Sequence, residues 1–538
     1  METYTLPAQA AQLKPHPRCV ALGIFDGLHA GHRHVILAAN KGMPDGVSRT
    51  VYTFQSGTVT TKEEQRRLCT AEQQQELLST MGVDELLEVD FAAVRDLTPE
   101  QFVEEVLHRQ LGAVQVSCGY NYRFGKNGSG DAAALTALCE KYGIAVQVVE
   151  PVLISGQTAC SSAVRKALSE GDMDTVRRLQ SRAYCLRLPV TEGQHLGHRL
   201  GMPTINQTIP ADLACPRYGV YASCVEVEGQ VLPAVTNIGV RPTVGSDTPL
   251  AETWIQGFDG DLYGTTPAVY PLVFLREEQR FDSLEALHKQ VEQDAATARD
   301  LFTPPEQTEI RAILFDFDST LRGGPSFFNG VNEWVAYYFP TLSAEEKAAR
   351  RKEIFRYHNY LCSSGSAFTY EMLVQHFLEE WGCDADLAAA TRRFYDGFCD
   401  GCPLDEGVIP ALAELRRRGY RLGIITNGFS YPQNRKLDSM ELRPYMDVAM
   451  VSEDEGVHKP DPLLFHRAAA RLGVPVECCA FVGDNPQADV QGALGAGMHP
   501  IHKVESHTAD HLIHTLWQTD TPVIRQIVEL LDLFPEIK

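Results

Sequence analysis

The stretch CVALGIFDGLHAGHRHVILAAN, residues 19–40, begins as an apolar run, passes through a glycine-punctuated turn and continues as a helical segment. A strand, a tight turn and a helix in this order form the unit from which parallel α/β sheets are built. The start of such a helix attracts phosphate through its free N–H groups and its positive dipole end. His29 and His32 flank this start, so the stretch predicts a site that stabilises charge on an α-phosphate.

A second stretch, CSSAVRKALSEGD (160–172), adds to the predicted phosphate site. We expect Ser161 or Ser162 to cap a helix, and Arg165, one turn further on, to grip β- and γ-phosphates. Between the two stretches, strand-like runs such as RTVYTF and VQVSCGY alternate with helical ones. This alternation is typical of a parallel sheet with crossover helices and predicts one α/β domain over residues 1–180.

The two stretches, together with YNYRFGK (120–126), resemble the FMN adenylyltransferase half of bacterial bifunctional riboflavin kinase/FAD synthetases. The resemblance implies a Rossmann-like nucleotidyltransferase in which the phosphate of FMN attacks the α-phosphate of ATP, with His29 and His32 as catalytic residues. It places the nucleotide and flavin contacts at Gly23, Phe25, Asp26, Gly27, Asn121, Arg123, Ser161, Ser162 and Arg165.

The sequence after Phe54 departs from that family, which usually continues with a Pro-His-Pro segment. Here the residues are Gln55, Ser56 and Gly57. The departure leaves a second hypothesis open, in which the first domain binds flavin as a regulatory module without adenylylating it.

After residue 181 the sequence changes to short strand-like runs separated by glycine and proline, a pattern typical of a small β-barrel. The chain contains no GxxxxGK[ST] phosphate loop, so a kinase here must bind the phosphates of ATP in another way. The stretch EGQHLGHRLGMPTINQ (192–207) offers one, because evenly spaced glycines allow close approach of the backbone to phosphates. Pro203 stiffens the start of the next strand, and Thr204 and Asn206 carry the oxygen ligands that Mg²⁺ prefers. The predicted loop glycines are Gly193, Gly197 and Gly201.

This stretch, with TNIGVRPT and ETWIQGFDGDLYG, resembles riboflavin kinase. The resemblance implies a six-stranded antiparallel barrel over residues 181–303. It also implies that Glu252 is the catalytic base for the ribityl 5′-hydroxyl, and that Thr204 and Asn206 bind Mg²⁺ and ATP.

Three more apolar runs, RAILFDFDSTL (311–321), YRLGIITNG (420–428) and CAFVGDN (479–485), each place polar residues just after a predicted buried strand. In open α/β sheets, ligands bind at the edge formed by these carboxyl ends. We therefore expect one site to contain Asp316, Asp318, Thr426, Asn427, Lys459, Asp484 and Asp489.

The order of these motifs resembles the haloacid dehalogenase (HAD) superfamily. The resemblance implies a Rossmann-like phosphatase domain over residues 311–538, after a linker at 304–310, with a helical cap at about 322–403. Asp316 would be the nucleophile, Asp318 the acid/base, and Thr426, Asn427 and Lys459 the phosphate-binding residues. The implied Mg²⁺ ligands are Asp316, Asp318, Asp484 and Asp489.

The aromatic residues of the cap region invite two interpretations. Val331, Trp334, Val335 and Tyr338 follow one helix face, so we expect most of these rings to form the core of the cap rather than to stack on a flavin. The substrate stays open between a ribityl phosphate, either 5-amino-6-(5-phosphoribitylamino)uracil or FMN, pyrophosphate, and general sugar or nucleotide monophosphates.

The composition of the chain limits its fold class, its partners and its location. A chain of 538 residues is too long for one hydrophobic core, which favours a multidomain α/β protein. A formal net charge of -22 argues against nucleic-acid partners and leaves small substrates: riboflavin, FMN, ATP and a phosphate monoester. The 14 cysteines are scattered without zinc-site spacing, and no apolar run is long enough to cross a membrane, so we expect a cytoplasmic location. Oligomeric state stays open.

Overall fold

The computed structural model describes residues 1–14, 16–40, 47–55, 58, 66–154, 156–191, 202–240, 248–303, 309–323, 326–363, 369–400, 403–504 and 521–537. Along these residues a parallel sheet, an antiparallel barrel and a second parallel sheet with a helical insert follow one another. The predicted multidomain α/β architecture is confirmed. Within the same residues, no helix is both long enough and apolar enough to cross a bilayer.

The first domain is built on a sheet of six parallel strands with apolar clusters on both faces. In spatial order the strands are Glu2–Leu6, Glu85–Val89, Ser48–Phe54, Arg18–Leu22, Ala113–Gly119 and Ala145–Val149. The helices of this domain are Ala30–Asn40, Ala71–Thr80, Pro99–Gln101 continuing as the π-helix Phe102–Gln110, Ala132–Glu140, Ser161–Glu170 and Met173–Gln180. Two short hairpins, formed by Arg123–Phe124 with Gly130–Asp131 and by Leu153–Ile154 with Gln157–Thr158, lie outside this sheet.

The barrel domain contains seven antiparallel strand segments. In spatial order they are Leu186–Arg187, Ala268–Arg276, Gly219–Val227, Gln230–Gly239, Leu250–Ile255, Thr204–Thr208 and Val190–Thr191. The helix Leu284–Asp300 covers the outside of this sheet and packs Ala295 and Ala298 against it.

The first and last segments of the barrel sheet are two halves of one stretch of chain. Leu186–Arg187 pairs with one edge strand and Val190–Thr191 with the other, so this stretch closes the sheet on itself. Pro189 lies between the halves, and its missing N–H interrupts the ladder. The buried side chain of Gln207 donates to the carbonyl of Leu188 at 2.7 Å. Counted as one strand, the stretch gives the six-stranded barrel that the resemblance implies.

The last domain contains a second sheet of six parallel strands, again covered by apolar clusters on both faces. In spatial order they are Val448–Val451, Arg421–Thr426, Ala312–Phe315, Cys479–Gly483, His499–Lys503 and Val523–Ile524. The flanking helices are Val408–Arg417, Ser430–Ser439, Ser452–Glu455, Pro462–Leu472, the π-helix Pro486–Gln491 continuing as Gly492–Ala496, and Leu530–Leu533.

Four helices form an insert between the first strand of this sheet and the helix Val408–Arg417. Their bounds are Ser326–Tyr338, Ala344–Ser363, Tyr370–Glu380 and Leu387–Asp400. Val331, Trp334 and Val335 are buried together in the core of this insert, and Tyr338 packs against them. The expectation that these four residues form the core of the cap is therefore correct.

The last domain contacts both of the others. Arg33 of the first domain forms an ion pair with Asp438, and Arg471 forms one with Glu226 of the barrel. Ala470 from the helix Pro462–Leu472 is buried against the apolar outer surface of the barrel. The three domains thus form one continuous packed unit within the described residues.

Candidate active sites

The turn after strand Arg18–Leu22 is the centre of the first candidate site. Its backbone has positive φ at Phe25 (50°), Gly27 (73°) and Leu28 (40°), values that only glycine adopts at little cost. Such strain in a turn that also carries chemical groups is typical of a functional site. The ring of Phe25 is buried in the apolar core, so only the backbone of this residue is available for contacts with a ligand.

Two stacked imidazoles stand at the start of the helix Ala30–Asn40. The ring centroids of His29 and His32 are 3.7 Å apart. Burial lowers the pKa of His29 to about 3, with Arg182 and Arg165 adding to the effect, and burial lowers the pKa of His32 as well. Both rings are therefore neutral at neutral pH, and they offer hydrogen bonds rather than positive charge to a phosphate.

The second predicted stretch does meet the first, although by a different contact from the expected one. Ser161 does not cap the helix: Cys160 holds the N-cap position, and the Ser161 hydroxyl donates to the backbone carbonyl of Asp26 at 3.1 Å. Ser162 is exposed in the first turn and also makes no cap. The guanidinium of Arg165 forms an ion pair with the buried Asp26 carboxylate. These contacts tie both stretches to one turn.

Asn121 and Arg123 reach the same edge of the sheet from the neighbouring strand. Strand Ala113–Gly119 lies beside Arg18–Leu22 and runs parallel to it, so the residues after both strands emerge on one side. Both predicted side chains are exposed, and Arg123 lies 3.8 Å from the Asp131 carboxylate. Gly23 begins the central turn, where its N–H donates to the carbonyl of Tyr52 at 3.3 Å.

The second candidate site lies across three strands of the barrel. Asn206 is opposite Glu252 in one strand pair, and Glu252 is opposite Asn237 in the next. Directly opposed residues share a face of the sheet, and Thr204, two residues from Asn206, shares that face too. Pro203 precedes this strand directly. The three predicted glycines, Gly193, Gly197 and Gly201, lie outside the described residues.

Two residues of this site were not predicted from the sequence. The Asn237 side chain donates to the Glu278 carboxylate at 3.1 Å, on the face that carries Glu252. A Cβ atom at Gly239 would lie 2.2 Å from the same carboxylate, so the glycine makes room for Glu278. Asn237 belongs to the TNIGVRPT motif, which assigns it no role of its own, and nothing in the sequence around Glu278 indicates a contact with Asn237.

The third candidate site is a cluster of carboxylates around one lysine. Lys459 donates to Asp316 at 2.6 Å and to Asp489 at 2.7 Å, and all three side chains are buried. One oxygen from each of Asp316, Asp484 and Asp489 lies within 4.8 Å of the others. Burial and the neighbouring carboxylates raise the pKa of Asp316 to about 7 and that of Asp484 to about 6, against the opposing effect of Lys459. Three hard oxygen donors this close suit Mg²⁺.

The carboxylate of Asp318 lies outside this group, although we expected it among the metal ligands. It accepts from Lys436 Nζ at 2.7 and 2.5 Å and from Gln433 at 2.9 Å. Burial acts to raise the pKa of Asp318, but Lys436, Arg322 and Gln433 outweigh burial and hold it below the ordinary value. The Asp318 side chain is thus oriented by Lys436, whereas Asp316 and Asp489 are oriented by Lys459.

Thr426 and Asn427 are also in place at the carboxyl edge. The Thr426 hydroxyl is buried and accepts from Gln433 at 2.7 Å. Asn427 exchanges two hydrogen bonds with the backbone of Lys459, at 2.9 and 2.8 Å, and so fixes the lysine loop. Thr320, which was not predicted, donates to Asp316 at 3.2 Å.

The sequence relatives match the three domains in the same order. Family models match FAD synthetase at residues 11–163, riboflavin kinase at 180–302 and haloacid dehalogenase-like hydrolase at 310–497. The bifunctional riboflavin kinase/FMN adenylyltransferase of Pseudomonas fluorescens is 35% identical over 301 residues, which is 54% of this chain and 96% of that protein. The Escherichia coli K12 protein of the same description is 31% identical over 297 residues, covering 54% and 94%.

The N-terminal half belongs to the bifunctional riboflavin kinase/FMN adenylyltransferase family. The C-terminal domain is a HAD hydrolase, so the chain is an enzyme with three catalytic domains. Among solved structures, a HAD phosphatase from Thermococcus onnurineus aligns with 42% of this chain and 97% of its own, with 25% identity and a TM-score of 0.32.

Gly27→Ala is expected to lower FAD formation by the adenylyltransferase domain at least about tenfold and to destabilise the turn by about 1–3 kcal/mol. The residue has φ +73°, and a Cβ atom there would lie 2.8 Å from Leu68. Chromatographic separation of FMN and FAD measures the activity. The matched control is Gly143→Ala, which has φ +69° but no neighbour within 4 Å. If both variants lose FAD synthesis equally, the close approach at the turn is not the reason.

Mg²⁺ is expected to raise the melting temperature of the HAD domain, because three carboxylates converge there with one lysine to offset them. A concentration one hundred times the dissociation constant would stabilise the folded state by about 2.7 kcal/mol. Thermal melts of the full chain with Mg²⁺ or with EDTA measure the shift. Asp484→Asn should remove most of it; an unchanged shift in that variant would contradict the assignment.

Proposed function

We propose that this chain phosphorylates riboflavin to FMN, adenylylates FMN to FAD, and removes phosphate from a ribityl phosphate. The domain boundaries that we assign are residues 1–180, 181–303 and 311–538. The observation that carries the proposal is that three separate sets of chemical groups are present on one chain: two lie at the carboxyl edges of the parallel sheets, and the third lies across three strands of the barrel.

In the kinase reaction, Glu252 takes the proton of the riboflavin 5′-hydroxyl while that oxygen attacks the γ-phosphorus of ATP and ADP leaves. Asn206 and Asn237 flank Glu252 on the strands at either side, which supports this role. Thr204 and Asn206 would hold the Mg²⁺ ion with their side-chain oxygens, and the ion would neutralise charge on the ATP phosphates. ATP and riboflavin are the substrates of this domain.

In the adenylyltransferase reaction, an FMN phosphate oxygen attacks the α-phosphorus of ATP and pyrophosphate leaves. The neutral His29 and His32 donate hydrogen bonds to the transferring group at the positive end of the helix Ala30–Asn40. The Nδ1 atom of His32 is buried with no hydrogen-bond partner among the described residues, which suits a bound phosphate. Arg165, held by Asp26, contacts the other phosphates.

In the phosphatase reaction, Asp316 attacks phosphorus to form an aspartyl phosphate, while Asp318 in its protonated form donates its proton to the leaving alkoxide. Asp318 then takes a proton from the water that hydrolyses this intermediate and releases phosphate. Lys459 and Thr426 offset the charge on the phosphoryl oxygens. A Mg²⁺ ion held by Asp316, Asp484 and Asp489 would stabilise the charge of the transferring group.

The physical connection to a flavin enzyme favours a substrate with a ribityl 5′-phosphate. Two compounds of the pathway fit, 5-amino-6-(5-phosphoribitylamino)uracil and FMN. Hydrolysis of FMN would undo the kinase reaction on the same chain, so we propose the uracil compound as the principal substrate. Trp334 is buried in the core of the cap, so its ring is not available to stack on a substrate of either kind.

The experiment that tests the substrate is phosphate release by the full chain with Mg²⁺ and without ATP. The panel contains the uracil compound, FMN, pyrophosphate, glucose 6-phosphate and a nucleoside monophosphate, with the Asp316→Asn chain as background. A preference of at least about tenfold in kcat/KM for a ribityl phosphate, or about 1.4 kcal/mol, supports the proposal. Equal, slow release from the whole panel would identify a general phosphatase instead.

A further inference from the structure

One helix of the HAD domain lies between the phosphatase site and the adenylyltransferase domain. We call Ser430–Ser439 the bridging helix; its residues from Pro432 to Asp438 are all buried. Successive residues of an α-helix are about 100° apart around its axis, so Lys436 and Asp438 point to nearly opposite sides. Lys436 faces the phosphatase site and Asp438 faces the first domain.

On the phosphatase side, the bridging helix holds the acid/base. Lys436 is completely buried, and its ammonium contacts both carboxylate oxygens of Asp318 at 2.7 and 2.5 Å. Gln433, one turn earlier on the same face, donates to Asp318 at 2.9 Å and to Thr426 at 2.7 Å. The position of this helix therefore sets the position of the Asp318 carboxylate relative to Asp316.

On the other side, the bridging helix is held by the first domain. Arg33 donates to both oxygens of Asp438 at 2.8 and 2.7 Å, and Arg443 donates to the same carboxylate at 2.7 Å. The side chains of Arg33, Asp438 and Arg443 are at most 8% exposed. Loss of Arg33 would leave the buried Asp438 carboxylate with Arg443 as its cation and would remove the ion pair that joins the bridging helix to the first domain.

A second set of contacts joins the first domain to the bridging helix and also to the cap. Arg49 of the first domain donates to Asp396 at 3.0 Å and contacts the hydroxyl of Tyr431, which belongs to the bridging helix. Arg33 itself directly follows His32 on the helix that begins the adenylyltransferase site. Direct contacts thus join the adenylyltransferase helix to the bridging helix at Asp438, and the bridging helix to Asp318 at Lys436.

We propose that Lys436 and Arg33 are positioning residues of the phosphatase reaction, so that a residue of the adenylyltransferase domain determines where the phosphatase acid/base lies. The inference rests on the phosphatase function proposed above. Neither residue touches the substrate; Lys436 acts through Asp318, and Arg33 acts through Asp438 and the bridging helix.

The role predicts a particular kinetic signature. An alkyl phosphate releases a poor leaving group that needs the proton of Asp318, whereas p-nitrophenyl phosphate releases a stable phenolate that does not. A displaced Asp318 therefore slows the first substrate far more than the second. General loss of structure, by contrast, slows both substrates together.

The test uses full-length chains carrying Lys436→Met, Lys436→Arg or Arg33→Gln. The substrates are p-nitrophenyl phosphate and whichever of the uracil compound, FMN and glucose 6-phosphate the unchanged chain hydrolyses fastest. For Arg33→Gln we expect kcat on the alkyl phosphate to fall about 10- to 100-fold with little change in KM, and kcat on p-nitrophenyl phosphate to fall less than about threefold. Lys436→Met should show the larger loss, and Lys436→Arg should restore part of it.

Asp174→Asn is the matched control. It breaks the ion pair of Asp174 with Arg421, at 3.2 Å, which also joins the first and last domains but does not involve the bridging helix. In this variant, the ratio of kcat on the alkyl phosphate to kcat on p-nitrophenyl phosphate should equal that of the unchanged chain. If Arg33→Gln does not fold, as judged by its thermal melt and riboflavin kinase activity, Asp438→Asn tests the same contact.

The outcomes separate the two proposals. If the unchanged chain hydrolyses neither substrate, the phosphatase function itself is wrong. If it hydrolyses both while the Arg33 and Asp438 variants keep its substrate ratio, or lose both activities equally, the positioning role is wrong. A selective loss of kcat on the alkyl phosphate that Asp174→Asn does not share establishes the positioning role.

Discussion

The full chain carrying Asp316→Asn is expected to lose phosphatase activity by at least about 10³-fold, because an amide cannot form the aspartyl phosphate. Riboflavin kinase and FMN adenylyltransferase activities should stay within about twofold, since the contacts of Asp316 with the described residues are all with groups of the HAD domain. Phosphate release and flavin chromatography on the same preparation measure all three reactions.

The fold of this variant should be preserved. Asp316 is one of three close carboxylates, and their mutual repulsion contributes to its raised pKa. The amide removes that repulsion while keeping the size of the side chain, so we expect an unchanged or higher melting temperature in the absence of metal. A parallel loss of kinase activity, or retention of phosphatase activity, would contradict the assignment of separate sites with Asp316 as nucleophile.

Glu252→Gln should give the reverse result. Loss of a general base typically costs about 10²–10⁴-fold, so riboflavin phosphorylation should fall by that factor while FMN adenylylation and phosphate release persist. FAD formation supplied directly with FMN distinguishes the two flavin reactions. Glutamine retains the shape of the side chain between Asn206 and Asn237, so the barrel should melt as before.

Glu277→Gln is the matched control for this prediction. Glu277 is exposed and forms an ion pair with Arg217 at 2.6 Å on the barrel surface. Its loss should leave riboflavin phosphorylation unchanged. If Glu277→Gln and Glu252→Gln reduce the kinase rate equally, the base lies elsewhere.

Local sequence was enough to predict the parallel sheets and the residues at their edges. In both sheets the chemical residues come after the end of an apolar strand: Asp316 follows its strand directly, and Asp26 lies in the turn after Leu22. The carboxyl ends of parallel strands meet at one edge. The barrel was predictable as a small β-domain, but its closure depends on how the interrupted stretch around Pro189 pairs with both edges, which no local pattern specifies.

The bridging helix shows what sequence could not supply. Its sequence, SYPQNRKLDS, is mostly polar, and such a segment normally predicts a solvated helix face. It is buried because its charged residues find partners far along the chain: Lys436 pairs with Asp318, 118 residues away, and Asp438 pairs with Arg33, 405 residues away. Only the assembled domains bring these charges together.

The N-cap of the helix Ser161–Glu170 also differs from the prediction, and the reason is physical. We expected Ser161 or Ser162 to satisfy its own helix, but the Asp26 carbonyl lies within reach of Ser161 and accepts its hydroxyl. A local rule for caps cannot predict a partner from a turn that is distant in the sequence.

At the boundary between the first and last domains, each domain contributes both cations and carboxylates. Arg33 and Arg49 belong to the first domain, whereas Arg392 and Arg421 belong to the last, and each pairs with a carboxylate across the boundary. A docking rotated or shifted by one helical turn would separate these charge pairs. The two N-terminal domains therefore bind the HAD domain in one orientation. An unrelated hydrolase joined at the same point of the chain would lack these charge pairs and would not pack against the first domain.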